Sequence, residues 1–191
     1  MRRFFFLLIV FLLNCKHPNA DEMKGSNPLL NLDSEEKIKA KMIQISKDSY
    51  RFSSMDGDGI TSEENVLKME RKGGVRYISI EINKLPLKFI FDTGASNICI
   101  SISEAKVLYK QGSLTQDDFI GKANFQDATG KISEGMKINL REVKIGNRTL
   151  HNLQALVVDN EEAPLLLGQS ALEKFGSIEI DNKKDLIILK D

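Results

Sequence analysis

From Ile78 onward the apolar residues of this chain fall on every second position. Ile78, Ile80 and Ile82 alternate with Ser79, Glu81 and Asn83, and after Asn83-Lys84 the series resumes as Leu85, Leu87, Phe89 and Phe91. A period of two places one set of side chains on one face of an extended backbone, so the pattern predicts two half-buried strands joined by a tight turn. The second strand runs into Asp92-Thr93-Gly94, which delivers a carboxylate at the point where the backbone leaves a buried strand and bends. Alternation returns at Met136, Ile138 and Leu140, then at Val143 and Ile145, before a Gly146-Asn147 turn and an apolar run over 153–158. Ile178 and Ile180, a polar turn over 181–184 and an apolar run over 186–189 add two more strands. Many short strands with few helices predict an all-β domain, either a small barrel or a sandwich.

Ahead of Gly73-Gly74 the spacing is different. Ile38, Met42 and Ile45 recur at helical intervals behind Asp33, Ser34, Glu35 and Glu36, which predicts a helix over 34–50 with its acidic residues at the positive end. Thr61 and Glu64 stand in capping-box spacing before Val66, Leu67 and Met69, so a second, shorter helix is expected from Thr61 to the glycine pair. The connection Met55-Asp56-Gly57-Asp58-Gly59-Ile60 resembles a calcium loop. With Gly59 at the sharp-turn position, Asp56 and Asp58 take two ligand positions, but Ser54 stands first and Asn65 stands twelfth, where a bidentate Glu belongs. A solvated turn is the simpler reading; Asp56 and Asp58 are the only metal candidates, and weak ones. Short helices are expected over 103–109 and 170–175.

Arg2 and Arg3 precede an apolar run over 4–13 that is too short to span a bilayer as an ordinary helix and suits an export signal. Leu12-Leu13-Asn14-Cys15 resembles a lipobox, which implies removal of 1–14, a lipid on Cys15 and attachment to a bacterial membrane of the cell envelope, on the periplasmic or surface side. Plain secretion with a cut ahead of Asp21, or an uncleaved anchor, are the alternatives. Residues 15–33, with Asn, Pro, Gly and charge, read as a flexible tether, 34–72 as a helical segment and 73–191 as the main domain. Lys and Arg total 27 against 27 Asp and Glu, with no Trp and no basic stripe, so nucleic acid is not an expected partner. The two histidines, His17 and His151, leave little basis for a His-dependent triad or zinc site. Cys15 and Cys99 are the only cysteines; Cys99, between Ile98 and Ile100, reads as a buried small hydrophobe.

Two carboxylates held close together share one proton, and such a pair can activate water directly against a peptide carbonyl. This chain has one Asp-Thr-Gly, so that chemistry requires a second copy. Three stretches resemble the retropepsin-like aspartic proteases, including single-domain bacterial members: Phe89-Ile90-Phe91-Asp92-Thr93-Gly94-Ala95-Ser96, then Ala128-Thr129-Gly130, then Pro164-Leu165-Leu166-Leu167-Gly168-Gln169-Ser170-Ala171-Leu172. The resemblance covers 73–191. It implies a small closed β-barrel with one short C-terminal helix and a homodimeric aspartic endopeptidase acting on peptides or proteins without a cofactor. Asp92, Thr93 and Gly94 are then catalytic. Ala95, Ile98 and Leu165 would line the substrate site, with Ala128, Thr129 and Gly130 at the tip of a covering flap, although an ordinary hairpin tip fits those three equally well. Ala95 brings no hydroxyl to the carboxylate, which favours activity at mildly rather than strongly acidic pH. The 186–189 strand is a candidate for pairing either between chains or within its own chain. A non-catalytic peptide-binding lipoprotein of the same fold, and a calcium-responsive adaptor built on Asp56 and Asp58, are the competing functions.

Overall fold

A computed structural model describes residues 35–53, 65–127 and 129–191. Helix α1 (Glu35–Ser53) begins with Glu35 and Glu36 in its first turn and buries Ile38 and Ile45. Its Lys41 forms an ion pair with Glu104, a carboxylate only 4% exposed, so a buried charged contact as well as two aliphatic side chains seats the helix, with Lys37–Glu161 and Glu35–Lys110 as exposed ion pairs.

Strands β1 (Asn65–Lys68) and β2 (Glu70–Lys72) precede the hairpin read from the alternation, β3 (Val75–Ile82) and β4 (Leu85–Phe91). Asn83 and Lys84 between β3 and β4 have φ of 48° and 71°, the left-handed pair that a two-residue hairpin turn needs. Asn83 is also fixed by its side chain, which donates to Ser113 O at 2.7 Å and accepts from Glu142 N at 2.9 Å. β5 (Ile98–Ser101) leads into α2 (Ile102–Lys110), capped by Ser101, whose hydroxyl accepts from Ser103 N and Glu104 N. A long hairpin follows, β6 (Phe119–Gln126) with β7 (Ile132–Ile145), then β8 (Arg148–Val158), β9 (Leu166–Leu167), the one-turn helix α3 (Gln169–Leu172), β10 (Ser177–Asp181) and β11 (Leu186–Lys190).

The larger sheet has the order β2-β3-β4-β9-β5-β8-β7-β6, and β3 also pairs with β7 through Glu81 with Lys144 and Ile82 with Val143. That seam closes six strands into a ring and leaves β2 and β6 outside it. The molecule is therefore an all-β fold, as the alternation implied. Central strands are covered on both faces: in β5, Ile98 and Ile100 join the main core with Phe89, Ile78, Ile80, Ile138 and Leu140, while Cys99 points into a smaller cluster with Ala95, Leu156 and Leu166. Phe125 and Ala123 of the long hairpin pack on that smaller cluster.

One expectation needs correction and one open alternative is decided. No helix runs up to Gly73-Gly74: the described residues there form β1 and β2, and Thr61 to Glu64 lie outside the described residues. Val66 and Leu67 pair with Ile188 and Ile187 of β11, and Asn65 donates to Ile145 O and accepts from Asn147 N. Partners about 80 and 120 residues away thus override a local helical spacing. Of the two pairings open to the 186–189 strand, the structure shows the one within the chain, because β11 lies between β1 and β10 and both of its edges are occupied. Helices α2 and α3 sit close to the expected 103–109 and 170–175, the latter shortened to one turn, and β6 was not anticipated. Cys15, Asp56, Asp58 and Ala128 lie outside the described residues.

Candidate active site

β4 is buried on its inner face and paired on both edges, with β3 on one side and parallel β9 on the other. Ile90 N donates to Leu165 O at 2.8 Å and Asp92 N to Leu167 O at 3.1 Å, so the ladder with β9 carries through to the acidic residue itself. The chain then turns. Ala95 N donates to Asp92 O at 3.3 Å, and Gly94 N donates to the Asp92 carboxylate (Oδ1) at 2.9 Å. Asp92 is half-buried, Thr93 is exposed and Ala95 is fully buried, so the carboxylate stands at the rim between the core and the outside.

The segment 167–170 holds this loop from behind. Gln169 N donates to Ala95 O at 2.8 Å and Ser170 N to Ser96 O at 3.0 Å. The first N–H groups of a helix lack partners within it, and those of α3 find them in the carbonyls of the loop. Ser170 Oγ accepts from Ile98 N at 3.0 Å, and Gln169 Nε2 donates to Thr93 O at 2.7 Å. At Gly168 a Cβ would lie 2.3 Å from Asn97 O and 2.6 Å from Ala95 O, so only glycine lets the two segments approach this closely.

The cysteine behind the loop is inert. Burial, and secondarily the charge of Asp92, push the Cys99 thiol up to about 12, and its Sγ lies 3.7 Å from Asn97 O as a weak donor.

The hairpin tip is built around Asp127. Its Oδ1 accepts from Thr129 Oγ1 at 2.5 Å, Thr129 N at 2.8 Å and Lys131 N at 3.2 Å. These donors, the threonine hydroxyl foremost, hold the Asp127 carboxyl below the usual carboxylate range. Gly130 has φ of 85°, a left-handed turn position, and Thr129 and Gly130 are exposed. The crevice between this hairpin and Asn97, edged by Phe125, Leu156 and Lys137, has a volume of about 10 Å³, room for one water.

The sequence-predicted residues therefore separate. Asp92, Thr93, Gly94 and Ala95 are consecutive in one braced loop. Ile98 is fully buried in the main core and offers no surface to a substrate, because inward alternation along β5 turns it away from the loop. Leu165 is half-buried and packed against the core, and its carbonyl serves β4. Sequence reasoning named the third motif but not Gln169 and Ser170 within it; their place directly after Leu-Gly marks the segment, not the bonds they make.

A closed sheet, an Asp-Thr-Gly turn at the end of a buried strand and a glycine brace behind it define the retropepsin-like class of fold. The chain belongs to the family whose model is described as "gag-polyprotein putative aspartyl protease", which matches residues 78–174, just over half of its length. Among solved structures it is similar to a retropepsin-like aspartic protease from Rickettsia conorii, with 26% identity over 68% of this chain and 95% of that one and a TM-score of 0.47. It is also similar to the retroviral protease-like domain of Ddi1 from Leishmania major, with 16% identity over 60% of this chain and 90% of that one and a TM-score of 0.38. No curated protein matches it.

Proposed function

We propose that the protein is an aspartic endopeptidase that works as a homodimer, with Asp92 of each copy facing the other across a bound water. The observation that carries this reading is the Asp92 carboxylate, at the rim of a buried strand end and aimed by Gly94 N, in a chain that supplies it once. In the pair, the ionised carboxylate accepts a proton from water as the water attacks the scissile carbonyl. The protonated one hydrogen-bonds to that carbonyl oxygen and then donates towards the leaving nitrogen. The exposed Thr93 lies where the two loops would meet. Thr129 and Gly130 at the hairpin tip are suited to cover a peptide, and Ala95 leaves the pair without a hydroxyl donor, which favours mildly acidic working pH.

Export and lipid attachment at Cys15 belong to the same proposal. An anchored chain in the cell envelope meets its second copy at raised effective concentration, so weak dimerisation suffices.

The test is a peptide-library digest across pH 3–8 with wild type and Asp92→Asn. Cleavage by wild type that is inhibited by pepstatin-type compounds and lost in Asp92→Asn is expected. Equal activity in both proteins, or activity from a strictly monomeric species, overturns the reading; peptide binding without cleavage by wild type identifies a binding module instead.

A further inference from the structure

We infer that Gln169 is a positioning residue that orients the Asp92 carboxylate through a single peptide plane. The inference rests on the reading of Asp92 as the catalytic acid. The carbonyl that Gln169 Nε2 grips at 2.7 Å is that of Thr93, and the N–H that meets Asp92 Oδ1 at 2.9 Å is that of Gly94. These two groups belong to the same peptide unit. A trans peptide is planar, with its C=O and N–H pointing in opposite directions, so fixing one end fixes the aim of the other. Gln169 holds the carbonyl end and thereby sets the N–H on the carboxylate. Donation to the carbonyl also polarises the unit and makes its N–H a stronger donor, as in any chain of hydrogen bonds.

The other braces of the loop come largely from the main chain of 169 and 170 and persist whatever side chain stands there. The Thr93–Gly94 peptide depends on the Gln169 amide. Without Gln169 the Thr93 carbonyl loses the donor that fixes it, and the peptide gains freedom to rotate. A neutral amide is the suitable group: it donates without adding charge beside Asp92, and its backbone N is anchored to Ala95 O at 2.8 Å, so the side chain starts from a fixed point. Among the described residues the Cys99 thiol feels the charge of Asp92 and stays neutral across the acidic and neutral range; in the proposed dimer the partner's Asp92 faces it as well.

Three full-length proteins test this: wild type, Gln169→Met, which keeps the length but not the donor, and Gln169→Glu. In Gln169→Met, kcat falls by about tenfold with KM within twofold, because the lost contact acts on the reacting group rather than on substrate binding. The Gly94 amide proton moves upfield and exchanges faster with solvent as its bond to the Asp92 carboxylate loosens. Gln169→Glu behaves like wild type where its new carboxyl is protonated and can donate, and like Gln169→Met once it ionises. Its activity therefore falls off at a lower pH than that of wild type, with an unchanged melting temperature at both ends of the range. A Gly94 amide resonance and exchange rate in Gln169→Met that match wild type overturn the inference, whether or not the enzyme is active. If wild type cleaves, Asp92→Asn does not and Gln169→Met matches wild type, the positioning role fails while the proposed function stands. If wild type does not cleave, the proposed function fails and the Gly94 amide measurement alone decides the coupling. Should Gln169→Met fail to fold, the two pH limbs of Gln169→Glu provide the comparison within one protein.

Discussion

Replacing Gly168 with alanine tests the brace behind the Asp92 loop by steric means alone. Its φ of −103° suits any residue, so the backbone conformation adds no penalty and the effect comes from contact. The added methyl would sit 2.3 Å from Asn97 O and 2.6 Å from Ala95 O, whereas real Cβ contacts stay above 3.0 Å; the nearer carbonyl must retreat by about 0.7 Å. Both obstacles are backbone atoms, which cannot swing aside as a side chain end does. Overpacking of this kind costs about 1–3 kcal/mol. The displaced Ala95 O is also the acceptor for Gln169 N, and its neighbour Ser96 O accepts from Ser170 N, so weakening these bonds adds about 1 kcal/mol. A total of about 2–4 kcal/mol lowers the melting temperature of a domain this size by roughly 5–15 °C. Displacement of the loop carrying Asp92 removes ten- to a hundredfold of kcat in the fraction that stays folded. The assay is thermal unfolding followed by circular dichroism, with Gly112→Ala for comparison. Gly112 has φ of 72° and nothing within 4 Å of the built Cβ, so its cost is only the left-handed backbone, about 1 kcal/mol. If Gly168→Ala melts no lower than Gly112→Ala, the close approach of the two segments is not a source of stability and the reasoning fails.

Two further outcomes follow from buried groups away from the loop. Lys41→Met takes the cation from the buried Glu104 carboxylate and leaves it the Ser101 hydroxyl; it destabilises the protein by about 1–3 kcal/mol, and pairing it with Glu104→Leu restores most of that, measured by chemical denaturation. Cys99 supplies a pH dependence. Its thiol is raised in the folded chain from 9.0 to about 12, so above pH 9 the unfolded chain loses a proton that the folded chain keeps, and stability declines between pH 9 and 12. Wild type should lose up to about 1.4 kcal/mol per pH unit more than Cys99→Ala in this window, and equal slopes refute burial of the protonated thiol.

Much of the fold was legible because its signals are local. The β3–β4 hairpin announces itself through Ile78 to Phe91 with Asn83-Lys84 between, and the acidic turn at its end needs no distant information. β1 was illegible for the opposite reason. Val66, Leu67 and Met69 bury equally well from a helix or a strand, and the choice is made by β11 and by the Asn65 contacts near Gly146, which no local window contains. β6 escaped because it is an edge strand with irregular exposure and a register shift between Phe119 and Gly121. At the site, Asp92 to Ala95 could be named from the tripeptide and its neighbours. Ile98 was misplaced because the alternation of β5 shows which residues share a face but not which face meets the outside. The role of Gln169 rests on a bond spanning 76 positions and belongs to tertiary structure alone.

The position of β11 between β1 and β10 also bears on how the molecule assembles in time. β10 and β11 form a local hairpin, of a kind that closes in microseconds, but among the described residues β1 has no neighbour in its sheet except β11, about 120 residues downstream. Loop closure over that span comes before its reward, so β1 is expected to zip on last and to limit the refolding rate. Until it does, one side of β11 is an unpaired apolar edge, open to capture by other chains, and the yield of correctly folded molecules should fall as the concentration during refolding rises.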